Sequence, residues 1–278
     1  MGNEPWKYTL KLLEMGNNVI GKWRDLLKLG GYEPPKINGW IILRYRLLSR
    51  MWRHILSAAS LKRSSRLKVL EFGCGGGAQI IPLLVNGWDV TGVDCSREVI
   101  RRAQEHVRRL RAACRTQGEI RLLNEDFIKH IPSRGQYDMT VAFGVLEHFL
   151  TANERLRYLK KMFEFTKPGG IVVSAVPNGF HPYRKAQRRY GWGGYVVPEI
   201  DYSPKQLEKE MRKCGAKNVR ILFNNMYGYL RIIPGNIVMR VLRAIAWMVA
   251  QAPVSRFLSL TSMSRHAYWL IAIGRKDA

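Results

Sequence analysis

The sequence predicts an α/β protein: a doubly wound sheet of seven mostly parallel strands, with helical insertions capping it. Two observations carry that expectation. Short apolar runs alternate with longer amphipathic ones along most of the 278 residues, as repeated βαβ units require. The run Val69 to Ile80, VLEFGCGGGAQI, takes an apolar strand through four glycines into a helical pattern. Open parallel sheets bind ligands at such turns, outside the carboxyl ends of their strands.

In chain order, strands fall near 67–73, 89–94, 120–124, 138–143, 171–176, 218–223 and 267–274. Helical patterns lie near 78–86, 97–115, 151–165 and 204–214. The first strand reaches Glu71 and turns through Gly73, Gly75, Gly76 and Gly77, where a chain without Cβ atoms bends tightly and lets a ligand approach its amides. Asn86-Gly87 closes the helix that follows, and Pro82 sits in its opening region. The second strand, in VTGVDCS, ends at Asp94; Ser96 caps the next helix and Glu98 favours its first turn. IRLLNEDF ends in Asp126, and YDMTVAFGVLEHF carries Gly144 where strand gives way to helix. Ser203-Pro204 is a capped helix start. The last two strands lack a clean crossover helix between them.

The spelling from Gly73 to Ala78 satisfies the dinucleotide pattern GxGxxG/A, and dinucleotide enzymes also place an acid where Asp94 stands. A dinucleotide site has no standing use for Asp126 or Gly144. Taken in order, EFGCGGG, VDCS, NEDF and YDMTVAFGVLEHF followed by KPGG make the stretch Leu67 to Cys214 resemble the class I S-adenosylmethionine-dependent methyltransferases. Its spelling is nearest the branch that includes the ubiquinone and menaquinone biosynthesis enzymes.

That resemblance implies S-adenosyl-L-methionine as cofactor, in a Rossmann-like methyltransferase fold whose last strand is antiparallel beside the sixth. It lays the methionine part of the cofactor over Gly73 and Gly75, near Glu71. Asp94 then holds the ribose diol, and Asp126 takes the adenine amino group with Phe127 beside it. Phe143, Gly144 and Val145 pass along the methionine. Cys74 and Cys95 belong to the same two turns, although the family leaves the Cys95 position variable. His148 is the first candidate for a catalytic base and His181 the second, with Tyr183 and Tyr195 as aromatics that shape the substrate. Read alone, Asp126 is a strand-end acid, and Glu147 with His148 an ordinary solvated helix start.

Charge is the other strong signal. The chain carries 46 Lys and Arg against 21 Asp and Glu, a net +25, which implies something anionic among its partners. Arginines group at Arg44, Arg46, Arg50 and Arg53; at Arg101, Arg102, Arg108, Arg109 and Arg111; and, with Lys185, at Arg184, Arg188 and Arg189. The middle group reads as a solvated face, the outer two as substrate-holding segments. Four scattered cysteines form no CxxC, and no metal-ligand cluster is visible, so no metal is expected. The polar opening carries no signal peptide, so a cytoplasmic protein is expected, peripheral at a membrane.

The expected organisation is an N-terminal helical cap over 1–62, then the main domain over 63–278 with lid insertions near 177–201 and 225–266. In the last insertion, Ile237, Val238, Val241, Leu242, Ile245, Trp247, Met248 and Val249 accompany Arg240 and Arg243, and no charge intervenes between Arg243 and Arg256. That stretch is too short to span a bilayer, which needs about twenty residues. It suits either a basic amphipathic helix over 237–256 lying in an anionic interface, or a buried cap helix.

The expected function is methyl transfer to oxygen or carbon of a small lipidic or membrane-associated acceptor. The alternative is a nucleic-acid methyltransferase whose arginines track phosphates while Trp192 or Tyr195 stacks a base. Against it, AFGVLEH is not the Asn-Pro-Pro-aromatic spelling of exocyclic-amine methylation. A catalytically inactive scaffold and an NAD oxidoreductase come after these.

Overall fold

The computed structural model describes residues 32–62, 66–126, 135–182, 184, 198–226, 236–250 and 260–277; for 247–250 and 260–262 it describes the backbone. Phe127, Tyr183, Lys185, Arg188, Arg189, Trp192 and Tyr195, the first 31 residues and the side chain of Trp247 lie outside the described residues.

Seven strands form one sheet: β1 (Lys68–Phe72), β2 (Asp89–Asp94), β3 (Ile120–Asn124), β4 (Tyr137–Phe143), β5 (Thr166–Pro177), β6 (Ala216–Met226) and β7 (Ala267–Lys276). Their order is β3-β2-β1-β4-β5-β7-β6. The first five pair in parallel, and β7 runs antiparallel between β5 and β6. The order reverses between β1 and β4, so a crevice opens outside their carboxyl ends.

Both faces of the sheet are covered, which is why β1 reads as a near-continuous apolar run. On one face α2 (Arg50–Ala58), α3 (Ile81–Leu84) and α4 (Arg97–Ala113) share a core with Val69, Val141, Val173 and Ile271. On the other, α5 (Ala152–Phe165) and α6 (Pro204–Lys213) pack on Phe72, Val172 and Leu270. Trp52, Trp88, Tyr158 and Tyr202 are fully buried in these layers. Each contributes roughly 1.5–3 kcal/mol or more of apolar burial.

Local chemistry sets the helix ends. The hydroxyls of Ser96 and Ser203 accept from the amides of Val99 and Gln206, and Thr151 with Glu154 forms a reciprocal capping box on α5. The expected helix over 78–86 shrinks to α3. Gly73, Gly75 and Gly77 hold φ of +65°, +52° and +77°, so the chain stays in turns until Ile80, and Pro82 falls in the first two helical positions. β5 and β6 outrun their expected lengths because each pairs along most of β7.

The described part of the N-terminal segment joins the main core. The α1 helix (Gly39–Leu47) is capped by Asn38 and buries none of its residues. In α2, Trp52, Ile55 and Leu56 are buried, and the Trp52 Nε1 donates to the Gln79 carbonyl at 2.9 Å. This tethers α2 to the glycine turn.

Candidate functional site

The crevice between β1 and β4 is lined first by backbone. A Cβ added at Gly73 would stand 2.6 Å from the Val145 Cγ2, so the glycine turn lies directly against the end of β4. Tyr32 rests over Gly75 and Gly76, its ring 2.9 Å from where a Gly75 Cβ would be and its carbonyl oxygen 3.1 Å from where a Gly76 Cβ would be. Burial, and then Asp94, push its phenol upward. Tyr32 carries no sequence signal, since only the folded chain brings it to residues 75 and 76.

Glu71 sits beneath this turn, buried, and its Oε2 meets no donor among the described residues. Desolvation, then the charge of Asp94, hold its carboxyl well above the usual carboxylate range. A buried acid with an unpaired oxygen is stabilised, once ionised, by an arriving cation. Asp94 is held in one orientation: the Gly75 amide donates to its Oδ2 at 3.1 Å and the Ser96 amide to its Oδ1 at 2.9 Å. Burial raises its pKa against the pull of those two amides. Its oxygens keep lone pairs for further donors such as a diol.

The structure brings Asp126 to the same rim, near enough to Cys95 that Asp94 and Asp126 both raise the thiol, after burial. Cys95 is exposed. Cys74 turns inward: its thiol is buried by Gly92 and Ile80, and its amide donates to the Val93 carbonyl. Cys74 is thus part of the cradle's wall. Phe143 packs edge-on against Trp52 at 5.6 Å, and Gly144, at φ +70°, donates to the Ala175 carbonyl.

Beyond Gly144 a single 3-10 turn, Leu146–His148, presents the second half of the site. The solvated helix start expected for Glu147 is overturned. Its carboxyl is buried, its Oε2 meets no donor among the described residues, and its Oε1 lies 3.5 Å from where a Gly144 Cβ would be. Burial and neighbouring Glu199 push it up to about 8. This buried acid at the crevice is one that sequence reasoning passed over. Its burial depends on Pro198–Asp201, some fifty residues on, where the Ile200 amide donates to the Glu147 carbonyl.

His148 donates from Nδ1 to the Pro198 carbonyl at 3.1 Å, and burial lowers its pKa. Glu147, His148 and Glu199 bring ligand atoms within 4.8 Å of one another, a cation-sized gathering that no local motif announces. Glu199 is already held by a cation, the buried Arg184, whose Nη1 lies 2.6 Å from it while Nη2 reaches Asp201 at 3.1 Å. Arg184 therefore braces the site from within, where sequence suggested a substrate-holding surface. His181 is fully buried, edge-on to Tyr268 at 5.3 Å, and pushed down to about 4, a weak proton acceptor at neutral pH.

The arginines of α4 are paired surface groups: Arg101 and Arg102 on Glu98, Arg108 and Arg109 on Glu105. Helix α7 (Ile237–Ala250) differs from the buried cap helix that sequence left open. Ile237, Val238, Val241, Leu242 and Ile245 share one face and are all exposed, Ile237 by 70%. Trp40, Leu43 and Leu47 of α1 are exposed as well. Among the described residues no helix is long and apolar enough to cross a membrane.

A family model described as a methyltransferase domain matches residues 43–221. A ubiquinone biosynthesis O-methyltransferase of Caulobacter sp. (strain K31) is 32% identical over 114 residues, 40% of this chain and 41% of that protein. The chain spans under half the length of the curated relatives it matches. Among solved structures, a SAM-dependent methyltransferase from Methanosarcina mazei shares the fold at TM-score 0.54 and 17% identity, over 83% of this chain and 98% of that one. Magnesium protoporphyrin IX methyltransferase from Synechocystis PCC 6803, solved with bound SAH, does so at TM-score 0.55 and 14% identity, over 93% and 94%.

Proposed function

This chain belongs to the methyltransferase-domain family, and on that premise we propose that it uses S-adenosylmethionine to methylate oxygen or carbon of a small lipidic acceptor at a membrane surface. The observation that carries the cofactor reading is Glu71: a buried carboxyl whose Oε2 meets no donor among the described residues, next to Asp94 and under a glycine turn. S-adenosylmethionine brings an ammonium and a sulfonium, the cations such a place lacks. The residues present fit it. Glu71 and the backbone at Gly73 and Gly75 receive the methionine end, Asp94 the ribose diol, and Asp126 the adenine amino group.

When bound, the cofactor supplies an activated methyl on a sulfonium sulfur. The protein's part is alignment and proton removal. Glu147 receives the proton that an acceptor hydroxyl or activated carbon must shed. An acid poised near 8 is matched to that task far better than a solvated glutamate or a histidine near 4. Arg184 and Glu199 hold the wall beside it, and His148 is fixed there by Pro198.

The exposed apolar faces of α7 and α1, with arginines on the same helices, support an acceptor met at an anionic lipid surface. The Caulobacter relative, named for ubiquinone biosynthesis O-methylation, supports oxygen as the acceptor atom. Calorimetric titration with S-adenosylmethionine, S-adenosylhomocysteine and NAD tests the cofactor: the two sulfur ligands should bind and NAD should not, and the reverse overturns the reading. Co-sedimentation with anionic vesicles should be lost in Arg240→Glu/Arg243→Glu. Vesicle-independent RNA binding with a steep salt slope would replace the lipid surface with a nucleic acid.

A further inference from the structure

At the opposite end of the sheet lies a cavity of about 380 Å³ whose lining includes Ser60, Arg212, Asn218, Arg220, Gly274 and Arg275. It opens beside Ile171, near the start of the ordered β5 pairing, whereas the crevice lies past the other end of that strand. The two are separated by roughly 20 Å of strand.

Three guanidiniums around one cavity repel one another unless something anionic joins them. Arg212 has a partner, Glu208, at 2.8 Å. Arg220 and Arg275 meet no carboxylate among the described residues. Arg220 donates from Nη1 to the Ala58 carbonyl at 3.0 Å; Arg275 donates from Nη1 to the Gly169 carbonyl and from Nη2 to the Ala59 carbonyl. The Ala58 and Ala59 carbonyls belong to the end of α2, so both side chains serve as its C-terminal caps. A guanidinium has five N–H donors in a fixed fork, and these bonds occupy one on Arg220 and two on Arg275. The caps therefore fix both groups at the cavity without exhausting them. Ser60 adds a hydroxyl and Asn218 an amide at its wall, both held at positive φ, +57° and +49°.

We propose that this cavity is a binding site for a phosphate group, with Arg220 and Arg275 as its paired donors. The geometry suits an oxyanion with several acceptor oxygens, which planar guanidiniums grip in parallel pairs. The phosphate belongs either to a soluble ligand or to a lipid headgroup, and this site does not depend on the methyl-transfer reading.

The test is titration of the full chain with pyrophosphate, and separately with phosphatidylcholine vesicles with and without phosphatidate, the vesicle arm being run in the Arg240→Glu/Arg243→Glu background so that α7 does not contribute. The chain with its cavity intact should bind saturably in one of these arms. Arg220→Gln/Arg275→Gln should weaken that binding roughly tenfold or more, while Arg101→Gln, on the paired surface of α4, leaves it unchanged. Because the double variant also removes two caps, Ser60→Asp gives an independent check: it keeps both arginine caps, places a carboxylate in the cavity, and should abolish binding without lowering the melting temperature. A pyrophosphate response names a soluble source, and a phosphatidate-dependent response sensitive to the same substitutions names a headgroup. Absence of binding in both arms, or binding indifferent to Arg220, Arg275 and Ser60, overturns the site.

Discussion

The two ends of this sheet carry opposite chemistry. At the carboxyl ends of the parallel strands the chain collects Glu71, Asp94, Asp126, Glu147 and Glu199, although basic residues outnumber acidic ones 46 to 21. At the amino ends it collects Arg212, Arg220 and Arg275 around a cavity. The difference teaches how each end is kept in readiness. Glu71 and Glu147 are buried with an oxygen unbonded, so their ionised forms are costly: Glu71 holds its proton until a cation arrives, and Glu147, once ionised, takes up a proton readily. The arginines cannot shed their charge, and carbonyl oxygens hold two of them in place.

The largest expected effect tests whether the acidic end is catalytic. Glu147→Gln keeps the shape and removes the base. It should cut turnover by about 10²–10⁴-fold, leave cofactor affinity near wild type, and erase the limb of the rate profile that rises through about pH 8. Unchanged turnover with an unchanged limb would leave the carboxylates at that end merely structural.

Asp94→Ala sharpens the contrast on the binding side. Losing a charge-assisted acceptor for the ribose should cost about 1.5–3 kcal/mol of cofactor affinity by calorimetry. Its fold should hold, because the carboxylate's two structural bonds are to turn amides at 75 and 96. Equal affinity in the variant would remove Asp94 from the ribose.

A last effect is on stability rather than on rate or affinity. Glu147 titrates near 4.5 when unfolded and near 8 when folded, so between those values the folded state binds the extra proton. Stability should then fall as pH rises from about 4.5 to 8, by up to about 1.4 kcal/mol per unit from this group. Denaturant midpoints of wild type and Glu147→Gln should diverge across that window and run parallel outside it. Parallel curves throughout would mean that Glu147 is solvated after all.

Much of the acidic end was legible in the chain because its residues lie in contiguous motifs at strand ends, where period and punctuation are strongest. The glycine turn, Asp94 and Asp126 fall at one rim, and the seven strands fall near their expected places. Glu147 was misjudged because burial is a property of what arrives from elsewhere, here Pro198–Asp201. Tyr32 and the Arg220 and Arg275 pair escaped for the same reason: α2 meets β6 and β7 only across more than 150 residues of chain. The helix after the glycines was overestimated because periodicity does not register positive φ.

The place of β7 between β5 and β6 has a consequence for how the chain is made. During synthesis β6 emerges before the strand that will separate it from β5, and the intervening stretch from Met226 to Ala267 must follow first. Until then two apolar strand edges are open, each able to pair with the wrong neighbour or with another nascent chain. Closure of the sheet is thus a late, long-range event, and a ribosome-bound intermediate halted before Ala267 should be the species that chaperones hold and proteases cut.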